Sequence, residues 1–142
     1  MTLLPNGKVL AAGGITSGFS GFLSSAEVYD AATGAWSSTA AMSAARTNHT
    51  ATLLPDGQVL VVGGTDSGFG SLASAELYDA TTGKWTATKS MNTPRQGHTA
   101  TLLATGLFAD ATGALLTRVL VTGGAGSGST FSSAELWTLA RL

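Results

Sequence analysis

The sequence predicts an all-β chain made of repeated units, each of four short antiparallel strands, and three observations carry that reading. First, TLLPNGKVLAAGG at Thr2 to Gly14 returns as TLLPDGQVLVVGG at Thr52 to Gly64, and a third copy begins with HTATLL at His98 and resumes as RVLVTGG at Arg118 to Gly124. Second, Val, Leu and Thr fill short runs separated by Gly, Ser, Asn and Asp, which is the punctuation of strands and turns. Third, 44% of the 142 residues are hydrophobic and only 11% are charged, so the chain has enough apolar content to bury a core and is not a disordered segment.

Each unit opens with a hairpin: TLL, a turn at Pro5-Asn6-Gly7, then KVLAAGG. Asn-Gly accepts the positive φ values of a tight hairpin turn, and Asp56-Gly57 stands in the same place in the second copy. The Gly-Gly that closes the second strand (Gly13-Gly14, Gly63-Gly64, Gly123-Gly124) marks backbone where a side chain would clash or φ must be positive. A loop of Ser, Gly and Phe follows, and its length drifts between copies while the strands hold, as expected of a variable surface on a fixed frame. The third strand reads SAEVYD, SAELYD or SAELW. A Thr-Gly turn then leads to a fourth strand opened by Trp36 or Trp85, and a connection through Met42 to Asn48, or Met91 to Gly97, reaches the next unit.

The landmarks keep phase. Glu27 and Glu76, Tyr29 and Tyr78, Trp36 and Trp85, Met42 and Met91, Arg46 and Arg95, and His49 and His98 are each 49 positions apart. Self-similarity at a period near 50 points to a propeller or a solenoid with one supersecondary unit per repeat. The units run over 2–42, 49–91 and 98–142 of a single domain spanning 1–142. The third departs from the pattern twice. About 11 extra residues, an insertion at about 104–117, are expected to lengthen the hairpin between its first two strands, and no Thr-Gly-x-Trp follows Trp137, so its outermost strand is missing or degenerate.

Charge and composition exclude several function classes. A formal net charge of -1 offers no basic surface for nucleic acid and no acidic tail for a cationic partner. The absence of cysteine removes a disulfide framework, a thiolate zinc site and a cysteine nucleophile together. MTLLPNGK has no basic segment followed by a long apolar run, so no signal peptide is read in it, and no stretch approaches the roughly 18 apolar residues of a membrane span.

The Gly-Gly after strand two, the Tyr in strand three, the Trp after a Thr-Gly turn and the M-x-x-x-R-x-x-H approach to the next unit resemble the kelch motif, and the units resemble blades of a kelch β-propeller. The resemblance implies four-stranded meanders set side by side around an axis. Closed propellers have about 4 to 8 blades, so three blades leave two open flanks. The expectation is a partial ring completed by self-association, with two chains forming a six-bladed homodimer, or a ring completed by a strand upstream in a longer chain. The short Ala/Thr/Gly-rich units also resemble bacterial, extracytoplasmic and secreted kelch proteins.

Function is expected to be non-enzymatic: a binding or scaffold module presenting its loop face to a protein or carbohydrate. The alternatives are a fragment of a carbohydrate-active kelch enzyme and an engineered or truncated propeller with no ligand. Copper oxidases of the galactose oxidase type belong among kelch relatives and use a Tyr-Cys crosslink that a chain without cysteine does not form. No cofactor and no metal site is expected, and no catalytic residue is assigned, because no two carboxylates are brought together by spacing. GGTDSGFG lacks the Lys-Ser/Thr ending of a phosphate-binding loop and does not open a helix.

Most recurring polar residues read as structural. His49 and His98 recur in phase at the start of an inner strand, which suits an imidazole bonding to backbone at a blade junction better than a single active site. Glu27, Glu76 and Glu135 sit inside otherwise apolar strands, and buried carboxylates require partners; Arg46 and Arg95 are the candidates for an interblade salt bridge. Trp36, Trp85, Tyr29 and Tyr78 read as packing between blades. The kelch resemblance places the connections near the channel mouth, where relatives bind ligands, so Arg46, Arg95, Asn48 and Gln96 are also candidate ligand contacts. Phe19, Phe22, Phe69 and Phe131, beside Asp66 in the loops, would complete an aromatic rim.

Overall fold

The computed structural model describes the chain apart from residues 18–20, 104–108, 110, 114 and 141–142. Each repeat folds as a sheet whose strands follow one another in sequence. The first blade holds β1 (Thr2–Leu3), β2 (Val9–Ala12), β3 (Ala26–Asp30) and β4 (Ala35–Thr39), and the second holds β5 (Thr50–Leu53), β6 (Gln58–Val62), β7 (Ala75–Asp79) and β8 (Lys84–Thr88). The third holds β9 (Thr99–Leu102) and β10 (Leu116–Thr122). A small hairpin of β11 (Ala125–Gly126) and β12 (Ser129–Thr130) lies in its loop, and β13 (Ala134–Ala140) completes a three-stranded sheet. All pairings are antiparallel, and the register repeats: Ala11 faces Glu27, Val61 faces Glu76, and Val121 faces Glu135.

Turn chemistry sets these registers locally, though not quite as the Asn-Gly pair suggests. Only the glycine takes positive φ, +79° at Gly7 and +86° at Gly57. Asn6 and Asp56 act through their side chains instead, each accepting a hydrogen bond at 3.1 Å from the backbone N–H two residues on, Lys8 and Gln58. The Gly7 and Gly57 N–H groups return to Leu4 and Leu54 O at 3.0 Å, so the hairpins close through a turn followed by one left-handed glycine. The second turn of blades one and two uses the same device: Asp30 and Asp79 accept from Ala32 and Thr81 N–H, and Gly34 and Gly83 N–H reach back to the aspartate carbonyls.

Period-2 alternation splits each sheet into two apolar faces, and neighbouring blades bury them on one another. Leu4, Leu10, Ala26 and Met42 of blade one pack on Val59, Val61 and Tyr78 of blade two. The opposite face of blade two (Leu54, Leu60, Val62, Leu77 and Met91) packs on Val119, Val121 and Trp137 of blade three. Val59 through Val62 are fully buried because the middle blade is covered on both sides.

The two junctions also share polar ties. Trp85 Nε1–H donates to Ala40 O at 2.8 Å, and the Tyr78 hydroxyl meets Thr39 Oγ1 at 3.0 Å. In blade three no fourth strand lies among the described residues, and the indole bond comes from the third strand. Trp137, at the place of Tyr78, donates Nε1–H to Lys89 O at 2.8 Å, the carbonyl 49 positions after Ala40. Of the insertion, Ala109 bridges Leu115, and Leu103 N–H donates to Arg118 O, both within the β9–β10 hairpin.

The outer blades are open on their far faces. Leu3, Trp36 and Leu136 are 63%, 50% and 46% exposed. Glu27, expected among the buried carboxylates, is exposed because no blade covers it.

The first Gly of the pairs in blades one and two is demanded twice over, by φ and by space. A Cβ on Gly13 or Gly63 would stand 2.5 or 2.6 Å from the carbonyl of Arg46 or Arg95, and both residues have φ of +65°. At Gly97, φ is +60° but nothing lies within 4 Å of a Cβ. Gly63→Ala is therefore expected to cost about 3 kcal/mol, combining left-handed strain with a backbone clash. Gly97→Ala should cost only about 1 kcal/mol, and Gly97→Asn less still, since Asn48 occupies the same phase with φ of +54°. Urea denaturation of the three variants checks that order.

Candidate functional site

Two neighbouring features carry the polar chemistry of the chain: a buried arginine at each blade junction and the layer of loops above it. Arg46 leaves the connection of blade one and enters blade two. Its Nη1 donates to Gly63 O at 2.9 Å and Ser74 O at 3.1 Å, and its Nη2 donates to Ser74 Oγ at 3.2 Å and Glu76 Oε1 at 2.9 Å. Glu76 Oε2 accepts from Ser43 N–H at 2.9 Å. Both side chains are shut off from solvent, at 0% and 3% exposure. Burial lowers the Arg46 pKa, and the charge and hydrogen bond of Glu76 oppose that.

The second junction repeats the set. Arg95 Nη1 donates to Gly123 O at 2.8 Å and Ser133 O at 3.1 Å, Nη2 to Ser133 Oγ at 2.9 Å, and Nε to Glu135 Oε1 at 3.2 Å. Glu135 also accepts from the Asn92 and Thr93 N–H groups. Burial pushes its pKa up, but these hydrogen bonds together with that from Arg95 outweigh it, and the carboxyl is held below its ordinary value. The signal for this cradle was legible as Ser-Ala-Glu in every third strand, although the role of Ser25, Ser74 and Ser133 is not apparent from sequence.

The histidines sit in the same junctions. Their Cε1 atoms would stand 3.1 Å from a Cβ on Gly13 (His49) and 2.7 Å from one on Gly63 (His98), so each imidazole covers the first Gly of a pair. His98 Nε2 pairs with Thr50 Oγ1 at 3.0 Å, a backbone hydrogen bond with Arg95 also acts on its ring, and His49 Nδ1 is buried with no hydrogen-bond partner. Burial, with Arg46, the N-terminal amine and His98 adding positive charge nearby, takes the His49 pKa from 6.5 to about 4. Burial and the charge of Arg95 lower that of His98, against a backbone hydrogen bond with Arg95 that raises it.

Above the junctions the loops are stitched together. Each doubles back on itself through Ile15–Phe22, Thr65–Ser71 or Ala125–Thr130 pairing. Thr47 then pairs with Thr65 and Gln96 with Ala125, joining each connection to the loop of the next blade. Gln96 Oε1 also accepts from the Thr65 hydroxyl. A cavity of about 250 Å³ opens in this layer, lined by Ile15, Phe22, Thr47, Asn48, Thr65, Phe69 and Gln96. Phe22 and Phe69 meet edge to face with centroids 5.4 Å apart.

Phe69 is held outward by a turn that Asp66 builds: its Oδ1 accepts from Gly68 and Gly70 N–H, both at 2.9 Å. The phenylalanine is 68% exposed and has φ of +61°, a conformation that a bulky side chain rarely adopts.

The candidate ligand contacts thus separate. Asn48, Gln96 and Phe69 line the cavity together with Ile15, Phe22, Thr47 and Thr65. Arg46 and Arg95 do not reach it; both are fully buried between blades, because their guanidinium groups are consumed by carbonyls and a carboxylate. Phe131 lies with its ring centroid 5.0 Å from the Arg95 guanidinium carbon, and its N–H donates to Gly124 O as Leu72 N–H does to Gly64 O, so it anchors its loop. Asp66 shapes a turn, and Phe19 lies outside the described residues. Ile15, Thr47 and Thr65 were missed although each holds a fixed phase, Thr47 49 positions before Gln96 and Ile15 and Thr65 directly after a Gly-Gly pair, because their residue types differ from copy to copy.

Blades of sequential antiparallel strands, packed face to face and locked by one connection apiece, define a segment of a β-propeller. The family follows from the sequence itself: the kelch motif matches residues 4–43 and 46–92, and the chain belongs to the kelch family. No curated protein matches it in sequence. Among solved structures it is similar to a fungal alcohol oxidase of the AA5 family in complex with copper, with a TM-score of 0.65 and 23% identity over 93% of this chain. The chain spans 28% of that protein's length, and the likeness is one of fold. The donor set here does not fit copper: the chain has no cysteine, and among the described residues no three of His, Cys, Asp and Glu converge.

Replacing Arg46 by Met strands a buried carboxylate and several carbonyls, and should cost about 3–5 kcal/mol in urea unfolding. Arg46→Lys should recover only a fraction, since one ammonium does not match the guanidinium fork.

The histidines set a pH dependence. The unfolded imidazole takes a proton near 6.5, whereas folded His49 does so only near 4. Between those values the unfolded state binds more protons, so stability is full above pH 6.5, falls with pH and levels near 4. The loss from His49 is on the order of 3 kcal/mol. His49→Gln should flatten part of the slope of unfolding free energy against pH between 7.5 and 4.5.

Proposed function

We propose that this chain is a non-enzymatic kelch module that binds an uncharged segment of a protein ligand in the loop-face cavity, between the loops of blades one and two. The observation that carries the reading is Phe69: an exposed aromatic with positive φ, fixed by the Asp66 turn against Phe22. Conformations of this kind cost on the order of 1–3 kcal/mol and concentrate where a side chain has work to do outside the fold. Among the described residues the cavity wall contains no charged side chain. A charged ligand group would therefore lose hydration without compensation, while the Asn48 carboxamide, the Gln96 side chain and the hydroxyls of Thr47 and Thr65 suit neutral amides or hydroxyls. Kelch repeats are in general associated with protein-binding propellers, which favours a peptide over the glycan that the same groups would also recognise. Enzymatic roles for Arg46 or Arg95 have no support in the geometry, since neither is reachable from solvent.

The test is a titration with two neutral panels, tetrapeptides containing one aromatic residue and methyl glycosides, following backbone amide shifts. Peptide-induced shifts at Ile15, Asn48, Thr65 and Gln96 are expected, reduced at least about tenfold in apparent affinity in Phe69→Gly, a variant whose fold should be at least as stable because glycine accepts this φ freely. Shifts from the glycosides alone would move the ligand class to sugars. Shifts unaffected by Phe69→Gly would overturn the site.

A further inference from the structure

Blades one and two enclose a second opening, at the opposite ends of the strands from the Gly-Gly loops. The β1–β2 hairpin, the β3–β4 turn and β4 on one side, with Tyr78 and Ala80 on the other, leave a groove of about 300 Å³. Its floor is closed, since Leu4 and Tyr78 are 3% and 2% exposed. Its width comes from small residues: register sets Ala35 beside Asp30 and Ser37 beside Val28. The hollow is not a general consequence of the blade. In the same register of the second copy these positions are Lys84 and Thr86, and Trp137 stands in the place of Tyr78, so bulkier residues take those places at the next junction. The groove walls carry hydrogen-bonding capacity beyond what the fold uses. Lys8 Nζ meets Asp30 Oδ2 at 3.1 Å, with the side chains 44% and 29% exposed, and an ammonium in one such contact has further N–H groups to give. Asp30 Oδ1 accepts from Ala32 N–H and Asn6 Oδ1 from Lys8 N–H, which leaves the Asn6 amide donors. The hydroxyls of Thr33 and Ser37 complete the lining.

We propose that this groove binds a neutral saccharide, with neighbouring ring hydroxyls bridging Lys8 and Asp30 and the C–H face of the ring resting on Val28, Ala35 and Ala80. A hydroxyl both donates and accepts, so two on adjacent carbons take an N–H from the ammonium and give one to the carboxylate together. Both bonds are charge-assisted and therefore among the stronger ones. The ion pair is neutral as a unit. An anionic ligand would meet Asp30, a cationic one would meet Lys8, and each would lose hydration against a like charge. Peptides dock through aromatic or aliphatic anchors set in pockets, and here the large apolar side chains are sealed beneath small ones. The volume lies at the lower end of the roughly 300–1,000 Å³ of small-ligand sites, which suits one sugar ring. Asn6 and Ala80 also line an adjoining opening of about 500 Å³ beside Pro5 and Pro55, where a second ring would continue. The groove shares no lining residue with the loop-face cavity, so the two proposals stand or fall independently.

The test is a titration of the full chain with methyl glycosides of glucose, galactose and mannose and with cellobiose, maltose and lactose, following backbone amide shifts. Saturable shifts are expected at Lys8, Ser37 and Ala80. Two variants borrow residues that the second copy already carries at the same phase, and so keep the fold: Lys8→Gln, as in Gln58, and Ala35→Lys with Ser37→Thr, as in Lys84 and Thr86. Lys8→Gln is expected to weaken binding by at least about tenfold, the worth of one charge-assisted hydrogen bond. The double variant, which fills the groove, should abolish the shifts, while the amides of the Gly-Gly loops stay where they are in the parent. The proposal is overturned if no sugar of the panel gives saturable shifts at these amides at tens of millimolar, or if either variant binds as the parent does. Shifts at the same amides from neutral tetrapeptides and not from sugars would overturn it as well.

Discussion

The buried guanidinium is the constraint from which the rest of the architecture follows. Arg46 is bound at both ends: its backbone belongs to blade one, with N–H donating to Leu23 O and its carbonyl accepting from Gly14 N–H, while its side chain is enclosed by blade two. One residue therefore fixes the position of a connection and the angle of the next sheet together. A buried ion pair is weak evidence of net stability, because desolvation offsets the Coulombic gain. Its contribution here is geometric. Two apolar β faces slide over one another at little cost, whereas a fork that must satisfy a carboxylate and two carbonyls accepts one register.

Other features of the motif are consequences of that placement. The connection runs so close to the second strand that Gly13 and Gly63 have no room for a Cβ, and the imidazoles of His49 and His98 pack over the same glycines. At Gly123, the equivalent place in blade three, the nearest atom to a Cβ is Phe131 O at 3.8 Å. The crowding is thus imposed by the connection that follows a blade and is not intrinsic to the hairpin. With the connections held, Thr47 and Gln96 meet the loops of the following blades and the upper layer closes around its cavity.

How far the sequence could be read depends on whether a residue repeats. Strands, turns, Gly-Gly pairs and the Arg–Glu pairing were legible because the same interface is written twice and phase alone identifies its members. What phase could not say is which residues face outward. Arg46 and Arg95 lie on connections near the loop face, but their side chains are drawn inward by acceptors that only the fold assembles. Asn48 shares its phase with Gly97, so its left-handed φ is a property of the position, while its carboxamide is free to line the cavity. Phe22, Phe69 and Phe131 look equivalent as aromatics in Gly-Ser loops. Differences in loop length put two of them against each other and the third over Arg95.

The junction is directional, and that governs assembly. One side contributes Thr39, Ala40 and an arginine; the other contributes Tyr78, Trp85, a carboxylate and two carbonyls. Such a contact is heterologous, and its repetition either closes into a ring or continues as a helix, according to the rotation at each step. In this chain the rotation is set by the reach of one guanidinium, which is the same at both junctions to within a few tenths of an ångström in its hydrogen bonds to the Gly-Gly and serine carbonyls. Blade three departs from the pattern on its free side while conserving this contact, with Trp137 supplying from the third strand the indole bond that a fourth strand gives elsewhere. The guanidinium contact keeps its geometry at both junctions while the loops above them differ in length, so the junction is the unit on which the blades are stacked.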